Sequence, residues 1–201
     1  MNSQVKFIYF DIGNVIASWR IAEKKLFELT DCDDFDYFMK VYQPADDDAN
    51  LGKISTQTIW TILSKEFGLK DNFDFISWWA QNHEVIMPTH FLLQEIDKLF
   101  QIGFLTNIYP DMLEAFFKFQ KIPKIKYRHA VQSSTCNVMK PDMTIYKKAA
   151  ELASCPPQHI LFIDDLEKNL QPARDLGWQT VCFDETNPEK SVEKIRAILN
   201  L

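Results

Sequence analysis

Near its start the chain carries a short apolar run that ends in an aspartate, and this stretch constrains the fold more than any other feature. In residues 5–16, VKFIYFDIGNVI, four consecutive large, mainly apolar side chains precede Asp11. Such a run is typical of a strand that is buried on both faces of a parallel sheet. Ligands of open α/β sheets bind at the carboxyl ends of the strands, so Asp11 stands where chemistry takes place. An aspartate that only begins a turn is the alternative interpretation.

The composition is that of an acidic globular protein. With 201 residues the chain is long enough for one sizeable core, or for a core with a small inserted domain. The formal net charge of −6 argues against nucleic acid as a partner. No apolar run approaches the ~20 residues of a membrane-spanning helix, and the N-terminus lacks a signal-peptide pattern, so no membrane association is expected.

The cysteines and histidines show no ligand spacing. The cysteines are scattered without a CxxC pair, which favours reduced thiols in a cytoplasmic protein over a disulfide framework or a zinc site. They are Cys32, Cys136, Cys155 and Cys182. The histidines are interpreted as packing or surface residues: His83, His90, His129 and His159.

From residue 88 onward, short apolar runs alternate with segments of helical spacing. Strands are predicted at 102–105, 130–131, 160–163 and 180–183, and helices at 90–100, at 111–119, after Asp142, after Asn169 and at 191–199. In the helix after Asn169, Pro172 is expected in the first turn and Gly177 just past the end. Strands that alternate with helices indicate a parallel sheet built by right-handed crossovers. We therefore predict an α/β core domain formed by residues 1–16 and 88–201.

Residues 17–87 are predicted to form an inserted helical domain without strands. Helical spacing runs from 20 to 39, with an acidic turn at 31–36, and two further helices follow, the first beginning at Ser55 as N-cap and ending at Gly68, the second covering 73–84. Residues 42–53 are predicted to be a loop, because they contain a proline, three consecutive aspartates and a glycine. The aspartates at 46–48 are most simply solvated; the alternative is that they face the active site and select substrates.

Polar residues follow three of the apolar runs. They are Asp11, the pair Thr106-Asn107 and the pair Asp164-Asp165, while Lys140 lies in a loop ahead of a helix. Two adjacent carboxylates at a buried strand end repel each other unless a cation binds, so Asp164 and Asp165 favour a metal site over a simple turn.

Taken together, these motifs resemble those of the haloacid dehalogenase (HAD) superfamily over essentially the full chain. FIYFDIGNV is similar to the first motif, FLTN to the second, MKPDMTIY to the third and LFIDDLEKNLQPARDLGW to the fourth. The resemblance implies a Rossmann-like core with a parallel sheet flanked by helices, a small all-helical cap of the subclass I type, Mg²⁺ dependence and hydrolysis of phosphoesters through a phosphoaspartate.

The resemblance also implies a role for each residue. Asp11 is expected to be the nucleophile, and Lys140 to offset the negative charge of Asp11 and of the phosphoryl group. The Thr106 hydroxyl and the Asn107 backbone N–H are expected to hold phosphoryl oxygens. The expected Mg²⁺ ligands are Asp11, Asp165, the Gly13 carbonyl, and Asp164 directly or through water.

Position 13 departs from the family pattern. Hydrolytic members usually carry a second aspartate, the general acid and base, where this chain has Gly13. The D-x-G-N pattern resembles a subset of small sugar-phosphate phosphatases. A phosphatase for a small phosphorylated metabolite, sugar phosphates included, is the leading hypothesis. A metal-independent dehalogenase and a non-catalytic phosphate-binding or regulatory protein are the alternatives. The motifs leave the substrate, the cap contacts and the oligomeric state open.

Overall fold

The computed structural model describes residues 5–201, so the first four residues of the predicted core domain lie outside the described residues. The strands are β1 (Phe7–Phe10), β2 (Ala17–Ser18), β3 (Glu84–Val85), β4 (Gln101–Thr106), β5 (His129–Gln132), β6 (Ile160–Asp164) and β7 (Gln179–Cys182). Five of them form one sheet in the order β5-β4-β1-β6-β7, with every neighbouring pair parallel. The predicted α/β class is confirmed.

The helices of the described residues lie on both faces of this sheet and form most of the segment between β2 and β3. They are α1 (Arg20–Leu29), α2 (Phe35–Asn50), α3 (Thr56–Phe67), α4 (Phe75–Asn82), α5 (Met87–Ile96), α6 (Met112–Lys118), α7 (Ser133–Cys136), α8 (Met143–Ala153), α9 (Glu167–Asp175) and α10 (Pro188–Leu199). A search of the described residues finds no helix with the length and apolarity that a membrane span requires.

The central strand β1 is buried on both faces, as its sequence predicts. Ile8 and Phe10 point into a core that continues into α1–α4, whereas Phe7 and Tyr9 pack on the opposite face beneath α8 and α9. The Tyr9 hydroxyl donates to the Ala149 carbonyl at 2.8 Å, which satisfies a buried polar atom. This alternation fixes the register of β1, and therefore the direction in which the chain leaves the sheet at its carboxyl end.

The helix termini follow the local signals in the sequence. Ser55 caps α3 by accepting a hydrogen bond from the Thr58 backbone N–H at 3.2 Å, and Asp142 caps α8 in the same way. Gly68 ends α3 with φ of +67°, a left-handed conformation that glycine adopts at little cost. The acidic turn predicted at 31–36 separates α1 from α2, and Asp34 caps the latter.

The loop predicted at 42–53 is wrong, because α2 continues to Asn50 with Pro44 inside it. Pro44 lacks a backbone N–H and weakens the helix, but its side chain is exposed. Tyr42, Ala45 and Ala49 lie on the opposite side and are buried in the core. Their burial offsets the poor helix propensity of the proline and the aspartates.

Two smaller predictions also need correction. The helix expected after Asn169 begins earlier, at Glu167, so Pro172 lies in its interior rather than in its first turn. Here the burial of Leu170 and Ala173 outweighs the one backbone hydrogen bond that the proline removes. The segment predicted to lack strands has short ones at its two ends, since β2 pairs antiparallel with β3.

The pairing of β2 with β3 joins the two ends of the segment that is predicted to be an insert. Ala17 pairs with Val85, and the Ile86 backbone N–H donates to the Ile16 carbonyl at 2.9 Å. The points where the chain enters and leaves this segment therefore lie side by side, immediately after the turn that follows Asp11. The division into two domains at this point stays a prediction.

Candidate active site

The strand register brings the carboxyl ends of β1, β4 and β6 together. Phe10 pairs with Ile163, so the next residues, Asp11 and Asp164, are adjacent, and the Asp11 backbone N–H donates to the Ile163 carbonyl at 2.9 Å. Thr106 ends β4 on the other side of β1 and is buried. The chain runs from β1 to β4 and β5 on one side of β1, and then crosses to β6 and β7 on the other side. This reversal creates a topological switch point beside β1, and open α/β sheets bind ligands at the carboxyl ends of the strands at such a point.

Lys140 connects these strand ends. Its ammonium nitrogen lies 3.0 Å from Asp11 Oδ1 and 2.6 Å from Asp164 Oδ2, and it donates to the Leu105 carbonyl at 3.0 Å. Burial lowers the pKa of Lys140, but attraction to the two carboxylates more than compensates, and the net shift is upward. The side chain is therefore a fixed, buried positive charge beside the predicted nucleophile.

Asn107 holds the backbone of Lys140 in place. Its Oδ1 accepts from the Lys140 backbone N–H at 2.8 Å, and its Nδ2 donates to the Lys140 carbonyl at 3.1 Å. From the sequence, only the backbone N–H of Asn107 was predicted to have a role, as a donor to a phosphoryl oxygen, so this side-chain role was missed. Thr106 and Asn107 both line the same cavity as Asp11.

Asp164 is fully buried and held on several sides. Besides Lys140, it accepts from the Leu166 backbone N–H at 2.9 Å and from Asn169 Nδ2 at 3.0 Å and 3.2 Å. Tyr146 fixes the start of α9 in turn, because its hydroxyl donates to the Asn169 carbonyl at 2.6 Å. Asp164 is thus oriented by its neighbours before any ligand arrives.

Asp165 is oriented by Asn14, which belongs to the D-x-G-N pattern but had no role assigned from the sequence. Asn14 donates from Nδ2 to Asp165 Oδ2 at 3.1 Å, and its own Oδ1 accepts from the Ser18 hydroxyl at 3.1 Å. Asn14 has φ of 53°, a left-handed conformation that asparagine tolerates better than most residues. An asparagine directly after the glycine of a turn was the signal that pointed to this backbone position.

The three carboxylates form a donor set that suits a hard cation. Asp11, Asp164 and Asp165 each offer an oxygen within 4.8 Å of the others. Asn169 Oδ1 is buried beside Asp164 and has no hydrogen-bond partner among the described residues. Lys140 supplies one positive charge against three negative ones, and Mg²⁺ prefers oxygen ligands, so the residues fit this ion.

The crowding of negative charge changes the pKa of Asp11. Burial, with repulsion from Asp164 and Asp165, raises the pKa of Asp11 to about 7 in spite of the attraction to Lys140. Burial also raises the pKa of Asp165. A bound divalent cation would favour the ionised form of both carboxyl groups.

Position 13 has room for a side chain. A Cβ on Gly13 would meet Trp19 Cδ1 at 3.5 Å and Nε1 at 3.7 Å, which is ordinary van der Waals contact. The indole ring of Trp19 therefore borders the space into which a residue at position 13 would extend. Gly13 lines the cavity, while the assignment of its carbonyl as a metal ligand stays a prediction.

A cavity of about 360 Å³ opens above these groups. Asp11, Thr106, Lys140 and Asp165 form its floor. Its upper wall comes from α1, α2, α4 and the segment after β4, and includes Glu23, Tyr42, Asp46, Trp79 and Tyr109. Most of this upper wall was not predicted, apart from the alternative that the aspartates at 46–48 face the active site, which holds for Asp46. Asp47 is exposed, and Asp48 forms an ion pair with Lys53 instead.

Solved structures of several enzymes share this architecture. A HAD family enzyme of Bacteroides thetaiotaomicron superposes with a TM-score of 0.74 at 17% identity, covering 91% of this chain and 95% of that one. A predicted HAD-like family hydrolase of Porphyromonas gingivalis superposes with a TM-score of 0.76 at 19% identity, covering 99% of this chain and 100% of that one. The chain has a HAD-like fold.

Other similar proteins match less of the chain or superpose less well. L-2-haloacid dehalogenase from Xanthobacter autotrophicus superposes with a TM-score of 0.64 at 16% identity, covering 88% of this chain and 76% of that chain. Bifunctional epoxide hydrolase 2 of Rattus norvegicus is 32% identical over 66 residues, which are 32% of this chain but only 12% of that protein's length. Acyl-CoA dehydrogenase family member 10 of Mus musculus is 30% identical over 99 residues, 49% of this chain and 9% of its own length. No family model matches the chain.

Proposed function

We propose that this HAD-like chain is a Mg²⁺-dependent phosphatase that hydrolyses a small phosphorylated metabolite through a phosphoaspartate on Asp11. The observation that carries the proposal is the charge of the site: three carboxylates lie close together at the floor of a cavity, and one buried lysine pairs with two of them. An enzyme whose nucleophile attacks carbon without a metal has no need of a donor set of three carboxylates at this place. The cytoplasmic location expected from the cysteines stays a prediction.

In this mechanism the chain's own residues orient the reactants. The ionised Asp11 attacks phosphorus in line with the leaving oxygen, which departs with a proton taken from water and leaves a hydroxide ion. A second water then attacks the phosphorus of the phosphoaspartate and gives its proton to that hydroxide. The bond between phosphorus and the Asp11 oxygen breaks, which releases inorganic phosphate and the Asp11 carboxylate. Lys140 offsets the charge on Asp11 and on the phosphoryl oxygens, and Thr106 and Asn107 are proposed to hold those oxygens. Asp11, Asp164 and Asp165 would hold Mg²⁺, which offsets the repulsion between a carboxylate and a phosphate.

Structures of the Bacteroides thetaiotaomicron enzyme in complex with magnesium and inorganic phosphate support this proposal. The test is release of inorganic phosphate from a panel of small phosphoesters, sugar phosphates among them, with Mg²⁺ and after its removal by EDTA. We expect hydrolysis that depends on the metal. Activity that is unchanged by EDTA would contradict the proposed mechanism.

A dehalogenase is the second candidate, because an L-2-haloacid dehalogenase shares the fold. The two reactions differ in the atom that water attacks in the second step. Single turnover in ¹⁸O-labelled water places the label in inorganic phosphate when water attacks phosphorus, and in the Asp11 carboxylate when water attacks the carbonyl carbon of an ester. We expect labelled phosphate and an unlabelled Asp11.

A non-catalytic HAD-like protein that keeps the pocket is the third candidate, and Gly13 is the residue that favours it. Beryllium fluoride with Mg²⁺ imitates a phosphorylated aspartate and is expected to raise the melting temperature of the wild-type protein. A missing thermal shift, together with no hydrolysis of any ester, would favour the non-catalytic interpretation.

Introducing an aspartate at position 13 is expected to raise the rate. Gly13→Asp restores a general acid that can protonate the leaving oxygen, and the nearest atoms of Trp19 leave room for its Cβ. We expect kcat to rise by about 10- to 100-fold, the lower part of the range for general acid catalysis. Gly13→Asn is the matched control, since its side chain has nearly the same size and cannot donate a proton in this way. An equal rate change in both variants would contradict the explanation.

The stabilisation by Mg²⁺ is expected to depend on pH through Asp11. Its pKa is about 7 in the folded protein, mainly because of burial, and ~3.9 in the unfolded chain. In the absence of metal, the stability associated with this group is therefore present below about pH 4 and lost as the pH rises through 7. Since Mg²⁺ binds the ionised carboxylate, the rise in melting temperature on adding Mg²⁺ should grow between about pH 5 and pH 8. A rise independent of pH would contradict this prediction.

A further inference from the structure

We propose that the cavity selects phosphomonoesters of a short amino alcohol, with the substrate's ammonium group against the upper wall beside Glu23. The inference rests on the proposed phosphatase function and names the class of leaving group. It is carried by three features of the upper wall: its aromatic rings, its carboxylates and the way its polar groups are already paired.

Aromatic rings dominate the upper wall. The rings of Trp19, Tyr42, Trp79, Tyr109 and Phe116 all line the cavity. Trp79 packs on Tyr42 with ring centroids 6.1 Å apart and on Tyr109 at 6.3 Å, so these three rings form one connected surface. Such surfaces bind alkylammonium groups through the negative faces of the rings.

The charged groups of the upper wall make it negative. Glu23 and Asp46 both line the cavity, and the nearby Asp46 contributes to raising the pKa of Glu23, although burial is the larger cause. Arg20 lines the same cavity and acts to lower the pKa of Glu23, a smaller effect than that of Asp46, but its guanidinium is paired with Glu185 outside the cavity. The wall therefore repels a leaving group that carries a carboxylate or a second phosphate, and attracts a cation.

The polar groups beside Asp46 are already bound to it, which argues against recognition of sugar hydroxyls. Asp46 accepts from Tyr42 at 3.2 Å, from Asn50 at 3.1 Å, from Gln43 at 3.4 Å and from Tyr109. The two tyrosine oxygens also lie 2.8 Å apart, so the two hydroxyl protons are shared among the contacts with Asp46 and with each other. A polyol site needs several free donors and acceptors, which the groups around Asp46 do not offer, whereas a carboxylate with satisfied lone pairs still exerts its charge on a cation.

Glu23 is the carboxylate left for the ligand. It is half-buried, and its side chain makes no hydrogen bond or ion pair within the part of the chain that the structure describes. It lies one helical turn after Trp19, to whose carbonyl its backbone N–H donates at 2.9 Å. Because Trp19 borders Gly13, Glu23 stands on the wall that rises from the catalytic floor.

The test compares two esters that differ only in charge: choline phosphate and its neutral isostere 3,3-dimethylbutyl phosphate. With the wild-type enzyme and Mg²⁺, we expect kcat/KM to be at least about tenfold higher for the cationic ester. Glu23→Gln should reduce this ratio severalfold. Glu28→Gln, on the exposed side of the same helix, is the matched control and should keep it. A ratio near one, or a ratio that Glu23→Gln leaves unchanged, would overturn the inference.

Two further arms separate this inference from the function on which it rests. p-Nitrophenyl phosphate and glucose 1-phosphate report phosphatase activity without a cationic leaving group, so their hydrolysis without preference for choline phosphate overturns the inference alone. If no ester is hydrolysed, the proposed function fails, and calorimetry with choline and 3,3-dimethylbutan-1-ol decides the inference. Tighter binding of choline supports a cation site, and equal or absent binding of the two alcohols overturns it.

Discussion

Asp11→Asn is expected to abolish phosphoester hydrolysis while leaving the fold intact. The amide cannot attack phosphorus, and loss of a covalent nucleophile in other hydrolases costs up to about 10⁶-fold, so we expect kcat to fall by at least ~10³-fold. Asparagine keeps an oxygen that can accept from the Ile12 backbone N–H, which bonds Asp11 Oδ1 at 2.8 Å. The measurement is steady-state phosphate release with Mg²⁺ present.

The stability of Asp11→Asn separates lost chemistry from lost structure. The substitution removes one of three clustered carboxylates and leaves Lys140 its partner Asp164, so the melting temperature without metal should not fall at neutral pH. Asp33→Asn changes an exposed carboxylate and is the matched control for both assays. Hydrolysis by Asp11→Asn at a rate near that of the wild type would show that another group is the nucleophile.

Lys140→Met is expected to damage both activity and stability. Methionine approximates the length of the lysine stem but leaves Asp11 and Asp164 buried without their counter-charge. Removing one partner of a buried ion pair costs roughly 3–5 kcal/mol, which for a chain of this size corresponds to a fall in melting temperature of roughly 6–20 °C. Loss of the positive charge beside the phosphoryl group should lower kcat by about 10²- to 10³-fold.

Mg²⁺ should restore part of the stability that Lys140→Met loses, because the metal replaces the missing positive charge between the same carboxylates. Thermal unfolding of the variant with and without Mg²⁺ measures this rescue, and the rise should exceed that of the wild type. Lys147→Met, at an exposed position of α8, is the control and should change neither property. If Lys140→Met unfolds at the wild-type temperature without metal, the buried charge network does not have the energetic role assigned to it.

Three residues at the base of the candidate site could be predicted from the sequence because each follows a strong local signal. Asp11, Thr106 and Asp164 stand at the ends of buried strands, and parallel strands bring such ends to one edge of the sheet. Lys140 lies in a loop, and only the resemblance to HAD motifs connected it with the strand ends.

The upper wall could not be predicted in the same way, because its composition depends on a helix that local propensity argued against. Pro44 and the aspartates at 46–48 favoured a loop, yet burial of Tyr42, Ala45 and Ala49 holds α2 together. The helical spacing of these apolar residues was the signal in favour of a helix. Within a short window it is weaker than the signal that a proline gives for a loop. Placing Asp46 in a helix turned an apparently solvated charge into part of the cavity wall.

The side-chain bonds of Asn14 and Asn107 escaped prediction for a different reason. Each joins residues far apart in the chain: Asn14 contacts Asp165, and Asn107 contacts the Lys140 backbone. Spacing within one segment carries no information about such contacts. They became visible only when the strand ends and the loop before α8 were placed together.

The measurement that tests the central claim most directly is chemical trapping of the phosphoaspartate. Enzyme that is turning over a phosphoester with Mg²⁺ is quenched and treated with borohydride, which reduces an acyl phosphate to an alcohol, and position 11 is then identified by peptide mass spectrometry. The proposed mechanism predicts homoserine at position 11 and unmodified Asp164 and Asp165. Unmodified Asp11 in actively hydrolysing enzyme, or homoserine at position 164 or 165, would contradict it.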